Sequence, residues 1–217
     1  MILDVPLIRQ EKDTVDCGIV GMAMLLKYYG IDVSYEDIKK EIKIHEIGTY
    51  APQLGIYLIK KGFDVEIITL HPGLFTKKGI LLTKDQILNR FKELYGTAKL
   101  DKNKITLEYF IEFLEKGGKI KIKIPTKEDI IEEINQKRPV CALLTSNFLK
   151  GDKPVFNFHF NLVTGIDDKF VYVNDSLWDE RGGKHKYLID DFFYGIYAGA
   201  YGDFYDHSTD VNAGCDG

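Results

Sequence analysis

Cys17 and His159 are the residues on which chemistry could be built. Cys17 ends the polar stretch Gln10-Glu11-Lys12-Asp13-Thr14-Val15-Asp16 and opens the run Gly18-Ile19-Val20-Gly21-Met22-Ala23-Met24-Leu25-Leu26-Lys27-Tyr28-Tyr29-Gly30. A thiol at the mouth of such a helix meets unpaired backbone N–H groups and the positive end of the helix dipole, which favour thiolate. His159 opens an apolar run that reaches Ile166, and Asp175 follows the run Phe170–Asn174 across a turn at Asp167-Asp168. Two such runs read as an antiparallel hairpin, in which the start of the first strand lies beside the end of the second. Asp175 is thereby expected to accept the Nδ1 proton of His159, leaving Nε2 for a thiol. A nucleophile, a base and an orienter are the parts of an activated cysteine. Asn174 points to the opposite face of a regular strand and is the poorer orienter. Gln10 can donate to a tetrahedral oxyanion together with the backbone N–H of Cys17, a contact worth roughly 3 kcal/mol of barrier. Trp178, in the loop Ser176–Lys184 that follows Asp175, is placed to border a cleft and stack on substrate. Each residue has a plainer reading: a small core thiol, a surface amide, a strand-end imidazole, a turn carboxylate, a partly buried indole. In this order along the chain, those four plainer readings of Gln10, Cys17, His159 and Asp175 together account for the pattern less well.

The elements needed to position these groups can be read from periodicity and caps. Asp13, Thr14 and Asp16 are cap-forming residues ahead of the Cys17 helix, which is apolar on nearly every face and so buried, and Gly30 stops it. Ser34-Tyr35-Glu36-Asp37 caps a second helix, and a third starts at Thr49 or Tyr50 and ends at Gly62. Phe63–Leu70 alternates as a strand. A helical insertion is expected over 73–118, with helices opening at Thr83 and Thr106 and too little length for a comfortable core of its own. Beyond Gly118 the pattern turns mainly to β: Lys119–Ile124 alternates with one wet lysine face, Thr126 caps a helix, and Pro139–Leu144 is an apolar strand. Tyr187–Phe193 reads as a strand end and a helical turn, Tyr197–Tyr205 as a last strand, and 207–217 as a loose tail. Helices first and antiparallel strands second make an α+β protein, read as one domain over 1–217.

Composition narrows the function classes. The chain has 217 residues, 45% hydrophobic and 29% charged, with a formal net charge of −4, so a globular core is affordable and no basic face invites nucleic acid. No run is long enough to span a bilayer, and Met1–Pro6 lacks the basic start and apolar stretch of a secretory signal, so a cytoplasmic place is expected. Three distant cysteines, Cys17, Cys141 and Cys215, form no disulfide framework and suit a reducing compartment. Cys141, in an apolar strand, is expected to be inert. No metal site is expected: CxxC and HExxH are absent, and His207, Asp210 and Cys215 are irregularly spaced in the tail. No cofactor is expected.

With those pieces in view, the sequence resembles the papain-like cysteine peptidases of the C39 and C39-like group. The matching pieces are Val5–Gln10, Asp16-Cys17-Gly18 with its helix to Gly30, the Gly62-Phe63 transition, His159-Phe160 with Gly165–Asp168, and Val171–Asp175. The resemblance implies a papain-like fold, with Cys17 as nucleophile, His159 as base and then acid, Asp175 as orienter and Gln10 as oxyanion donor. It implies a peptide or other amide substrate cut through a thioester, and it covers about two-thirds of the chain. Residues 73–118 have no counterpart in the compact pattern. An acyltransferase on the same scaffold, or a module that binds a peptide or nucleotide without cleaving it, are the alternatives; the oligomeric state is not written in the sequence.

Overall fold

An apolar helix laid against a buried strand is the centre of the molecule. The computed structural model describes residues 1–202 apart from 152, 154 and 155. Helix α1 (Cys17–Tyr28) is buried from Gly18 through Leu26, and it packs on β4 (His159–Ile166), every residue of which is buried. Beside β4 lie β3 (Val140–Leu144) and β5 (Phe170–Asp175), and β6 (Gly183–Leu188) completes an antiparallel sheet of order β3-β4-β5-β6. The expected α+β class, with N-terminal helices packed on an antiparallel sheet, is what the chain adopts. Around this body α2 (Tyr35–Glu41) is capped by Ser34, whose hydroxyl accepts from the Asp37 amide. Helix α3 (Ala51–Lys60) follows an N-cap at Tyr50.

A second region lies between α3 and the sheet. Strands β1 (Glu66–Thr69) and β2 (Lys119–Ile122) pair in parallel, from Glu66 opposite Lys119 to Thr69 opposite Ile122. They enclose a 3-10 turn over Lys77–Leu81, α4 (Lys84–Thr97) and α5 (Asp101–Glu115). The wet face expected of β2 is there, with Lys119 and Lys121 paired to Asp64 and Glu66 at 2.6 and 2.7 Å. Its partner, however, is β1 and not the four-stranded sheet. Helix α5 also starts earlier than Thr106, whose hydroxyl donates to the Lys102 carbonyl at 2.9 Å as a mid-helix residue does rather than as a cap. This region has a small buried cluster of its own, Phe75, Ile87, Phe91, Leu107, Leu114 and Ile122. Large aromatic rings supply that much apolar area from few residues; Phe91 stacks on Phe110 with centroids 5.1 Å apart. Phe113 docks the region on α3, where a Cβ on Gly55 would stand 2.6 Å from its ring.

Helix α6 (Lys127–Asn135), the short α7 (Asn147–Lys150) and α8 (Ile189–Gly202) cover the rest of the sheet. The last of these corrects an expectation: residues 197–202 end a helix, not a strand. Gly195 and Gly199 stand one turn apart, and a Cβ on either would lie 3.3–3.4 Å from atoms of Leu144. That spacing lets a helix settle on β3, and it outweighs the strand-like aromatic content. Residues 203–205, the 207–217 tail and its His207, Asp210 and Cys215 lie outside the described residues.

Candidate active site

Cys17 is the first residue of α1, and the residue ahead of it behaves unlike a cap. Asp16 occupies the N-cap position with φ −88° and ψ 9°, and its side chain makes no capping bond. Its carboxylate turns instead to α2, accepting a short hydrogen bond from the Tyr35 hydroxyl and pairing with Lys39 Nζ at 3.1 Å. Burial and then the contact with Asp16 push the Tyr35 hydroxyl up to about 12. Hydrogen bonds that Lys39 donates to Tyr35 and Asp16 likewise raise its ammonium. The first-turn amides beside Cys17 are thus left without a carboxylate across them. Asp13 and Thr14 are not caps either: Asp13 takes φ 59° and the Thr14 hydroxyl donates to the Glu11 carbonyl at 2.9 Å, building the turn before the helix. Gly18 allows α1 to sit deep, since a Cβ there would meet Thr49 Oγ1 at 2.3 Å, Leu54 at 2.9 Å and Phe160 at 3.1 Å.

The hairpin delivers the imidazole and its carboxylate. His159 Nε2 and Asp175 Oδ1 are 2.8 Å apart, with side chains 5% and 0% exposed. The nitrogen differs from the expected one. Asp175 stands opposite Asn161 in the register, not opposite His159, so the ring reaches it diagonally and only the far nitrogen spans the gap. Nδ1 is the ring nitrogen that Asp175 leaves open, and Cys17 is among the groups that act on the imidazole. Burial opposes the imidazolium, yet Asp175 and then Cys17 outweigh it and raise His159 to about 9. Burial likewise opposes the Asp175 carboxylate, and His159 and then Lys150 hold it down to about 2. Asn174, on the other face, donates to the Val5 carbonyl at 3.0 Å.

Gln10 is buried at 5% exposure. Its backbone N–H donates to the Ser176 carbonyl at 2.7 Å and its Oε1 accepts from the Ser176 hydroxyl at 3.1 Å. Its Nε2 donates to the Thr14 carbonyl at 2.7 Å, which uses one of the two hydrogens an amide carries. Trp178 is half-buried in the loop after β5, with Lys12 Nζ 5.4 Å from its ring centre.

Two residues of the site escaped the sequence reading. Arg9 clamps the Trp178 loop by donating to the carbonyls of Leu177, Asp179 and Gly182 at 3.0, 2.6 and 3.2 Å. Lys150 contacts Asp175 Oδ2 from α7. An arginine next to a candidate oxyanion donor was the available signal for the first; the second had none, being a lysine among many. Cys141 is in β3, where burial pushes its thiol up to about 12. Among the described residues no group of three His, Cys, Asp or Glu side chains could hold a metal ion. No helix among them is long and apolar enough to cross a membrane.

Residues 2–203 match the Peptidase_C39 like family, and the chain belongs to that family. Among solved structures it is similar to a double glycine motif protease from an AMS/PCAT transporter, crystallised with the leader peptide. Identity is 16% and the TM-score 0.43, over 90% of this chain and 87% of that one. It is also similar to a protein from Bacillus anthracis described as a candidate C39-like peptidase, at 15% identity and a TM-score of 0.47, over 92% and 93% of the two chains. A search of curated proteins gives no match.

Proposed function

We propose that the protein is a cysteine peptidase or related amide hydrolase working through Cys17, His159, Asp175 and Gln10. The observation that carries this reading is a buried imidazole held at 2.8 Å by a fully buried carboxylate, with Cys17, the first residue of α1, among the groups that act on it. In the proposed reaction the Cys17 proton passes to His159 Nδ1 and the sulfur attacks the amide carbon. The tetrahedral oxyanion is held by the remaining Gln10 amide hydrogen and the Cys17 backbone N–H. The carbon–nitrogen bond then breaks as the imidazolium returns its proton to the leaving amine, leaving a thioester. Water attacks the thioester carbon, giving a proton to His159. The carbon–sulfur bond breaks, the acid product leaves, and the proton goes back to sulfur. Asp175 keeps the ring in one orientation and stabilises the imidazolium throughout. Trp178 is proposed as one wall of the substrate cleft.

Iodoacetamide labelling mapped by mass spectrometry tests the assignment. Cys17 should be alkylated well ahead of Cys141 at pH 7, and Cys17→Ala should abolish turnover of a mixed peptide library. Full turnover in Cys17→Ala, or labelling of Cys141 first, would overturn it.

A further inference from the structure

The carboxylate that faces His159 has a second cation behind it. Lys150 is the last residue of α7, its side chain is 12% exposed, and its Nζ contacts Oδ2 of the fully buried Asp175. The same ammonium donates to the Arg181 carbonyl at 2.7 Å. Oδ1 of Asp175, meanwhile, faces His159 Nε2 at 2.8 Å and accepts from the Leu177 amide at 2.9 Å. Each carboxylate oxygen therefore has its own cationic partner, and rotation of the group would break both contacts.

The placement of Lys150 is built into the chain. Asn157, just upstream of His159, accepts from the Asn147 amide at 2.7 Å and donates to the Ser146 hydroxyl at 3.0 Å. These bonds tie the start of α7 to the segment that enters β4, so one piece of chain sets the imidazole and the ammonium on opposite sides of Asp175. Sinking an ammonium into a protein is costly unless its partners compensate. Burial lowers the Lys150 ammonium more than any other influence, and Asp175 is the main group acting against it. A lysine that only decorated the surface would have stayed in water.

We propose that Lys150 is a positioning residue for the cysteine chemistry, locking the Asp175 carboxylate and taking a share of its charge that would otherwise fall on His159. This rests on the hydrolase reading above. The charged and titratable groups around the carboxylate are His159 and Lys150, with Arg181 and Tyr187 beyond them, while Cys17 acts on the imidazole and Asp179 on the ammonium. Of these, only His159 and Lys150 touch it directly among the described residues. With Lys150 gone the carboxylate would act on the imidazolium alone. The imidazolium would then hold its proton more tightly and yield it less readily to a leaving amine.

The test follows His159 itself, by NMR titration of its imidazole in the full chain. Lys150→Met and Lys150→Gln should both move its titration upward by about half a pH unit or more from the wild-type value. Turnover of the peptide library should fall about tenfold in each, and Lys150→Arg should restore both readings. Loss of packing alone would free the ring and move the titration down, toward an ordinary histidine. A downward or unchanged titration in whichever neutral variant folds would therefore overturn the proposal. Iodoacetamide labelling of the wild type is read alongside. If Cys17 is not preferentially alkylated, the hydrolase reading falls on that result, while the imidazole titration still judges the charge sharing by itself.

Discussion

Two aspartates beside the candidate active site, Asp16 and Asp175, have nearly the same surroundings and opposite orientations. Both side chains are almost fully buried, at 4% and 0% exposure, and both meet a lysine, Lys39 in one case and Lys150 in the other. Asp16 adjoins the sulfur in sequence yet turns away from it to fasten α2, through Tyr35 and Lys39. Asp175 is distant in sequence from Cys17 yet turns into the site, between an imidazole and an ammonium. What separates them is the third group each one meets. A tyrosine hydroxyl raised to about 12 stays neutral across the working range, so Asp16 holds a fixed structure. A histidine raised to about 9 can gain and lose its proton, so Asp175 can govern a reaction.

Matched substitutions would break that comparison if it is wrong. Asp175→Asn removes the charge that supports the imidazolium and should cut turnover by about 10³-fold or more, while Asp16→Asn should leave Cys17 alkylation within about threefold of wild type. Equal losses in the two variants would erase the distinction.

The pH dependence sharpens it. The folded state raises His159, so its contribution to stability is complete below about pH 6.5 and is lost as pH rises through about 9. Asp175 is depressed, so its contribution is present above about pH 4 and is lost as pH falls toward about 2. Urea denaturation across these ranges should show both slopes in the wild type, and in Asp175→Asn no acid slope and a weakened alkaline one.

Smaller effects belong to the other pair. Asp16→Asn leaves Lys39 without its counter-charge and should lower stability by about 1–3 kcal/mol, seen as a reduced melting temperature with labelling intact. Lys39→Met should cost a similar amount, about 1–3 kcal/mol, because it leaves the Asp16 carboxylate, 4% exposed, with the Tyr35 hydroxyl alone.

Much of the fold was legible because its signals are local. Ser34, Thr83 and Thr126 announce helix starts by side-chain chemistry that acts within one turn, and all three stand at the N-cap positions. The pairing of His159 with Asp175 could be read because a tight hairpin fixes which ends meet. What stayed hidden depended on distance or on competing signals. The parallel pairing of β1 with β2 joins segments separated by two helices and leaves no mark in either strand. The aromatic residues of α8 fit either period, and the glycines that decide the matter do so only through contact with Leu144. The wrong imidazole nitrogen came from treating His159 and Asp175 as direct neighbours, when the register sets them on a diagonal. Lys150 was invisible for a simpler reason: the role proposed for it exists only through Asp175, which is 25 positions away.

Gly18 carries a consequence out of proportion to its size. With a Cβ at this position only 2.3 Å from Thr49 Oγ1 and 2.9 Å from Leu54, and 3.1 Å from Phe160, even alanine would press on the side chains between helix and strand. The sulfur is carried by the adjoining residue, so tipping α1 would move it relative to the His159 ring it is proposed to work with. The orientation of Cys17 is on this account set by a missing methyl group on its neighbour.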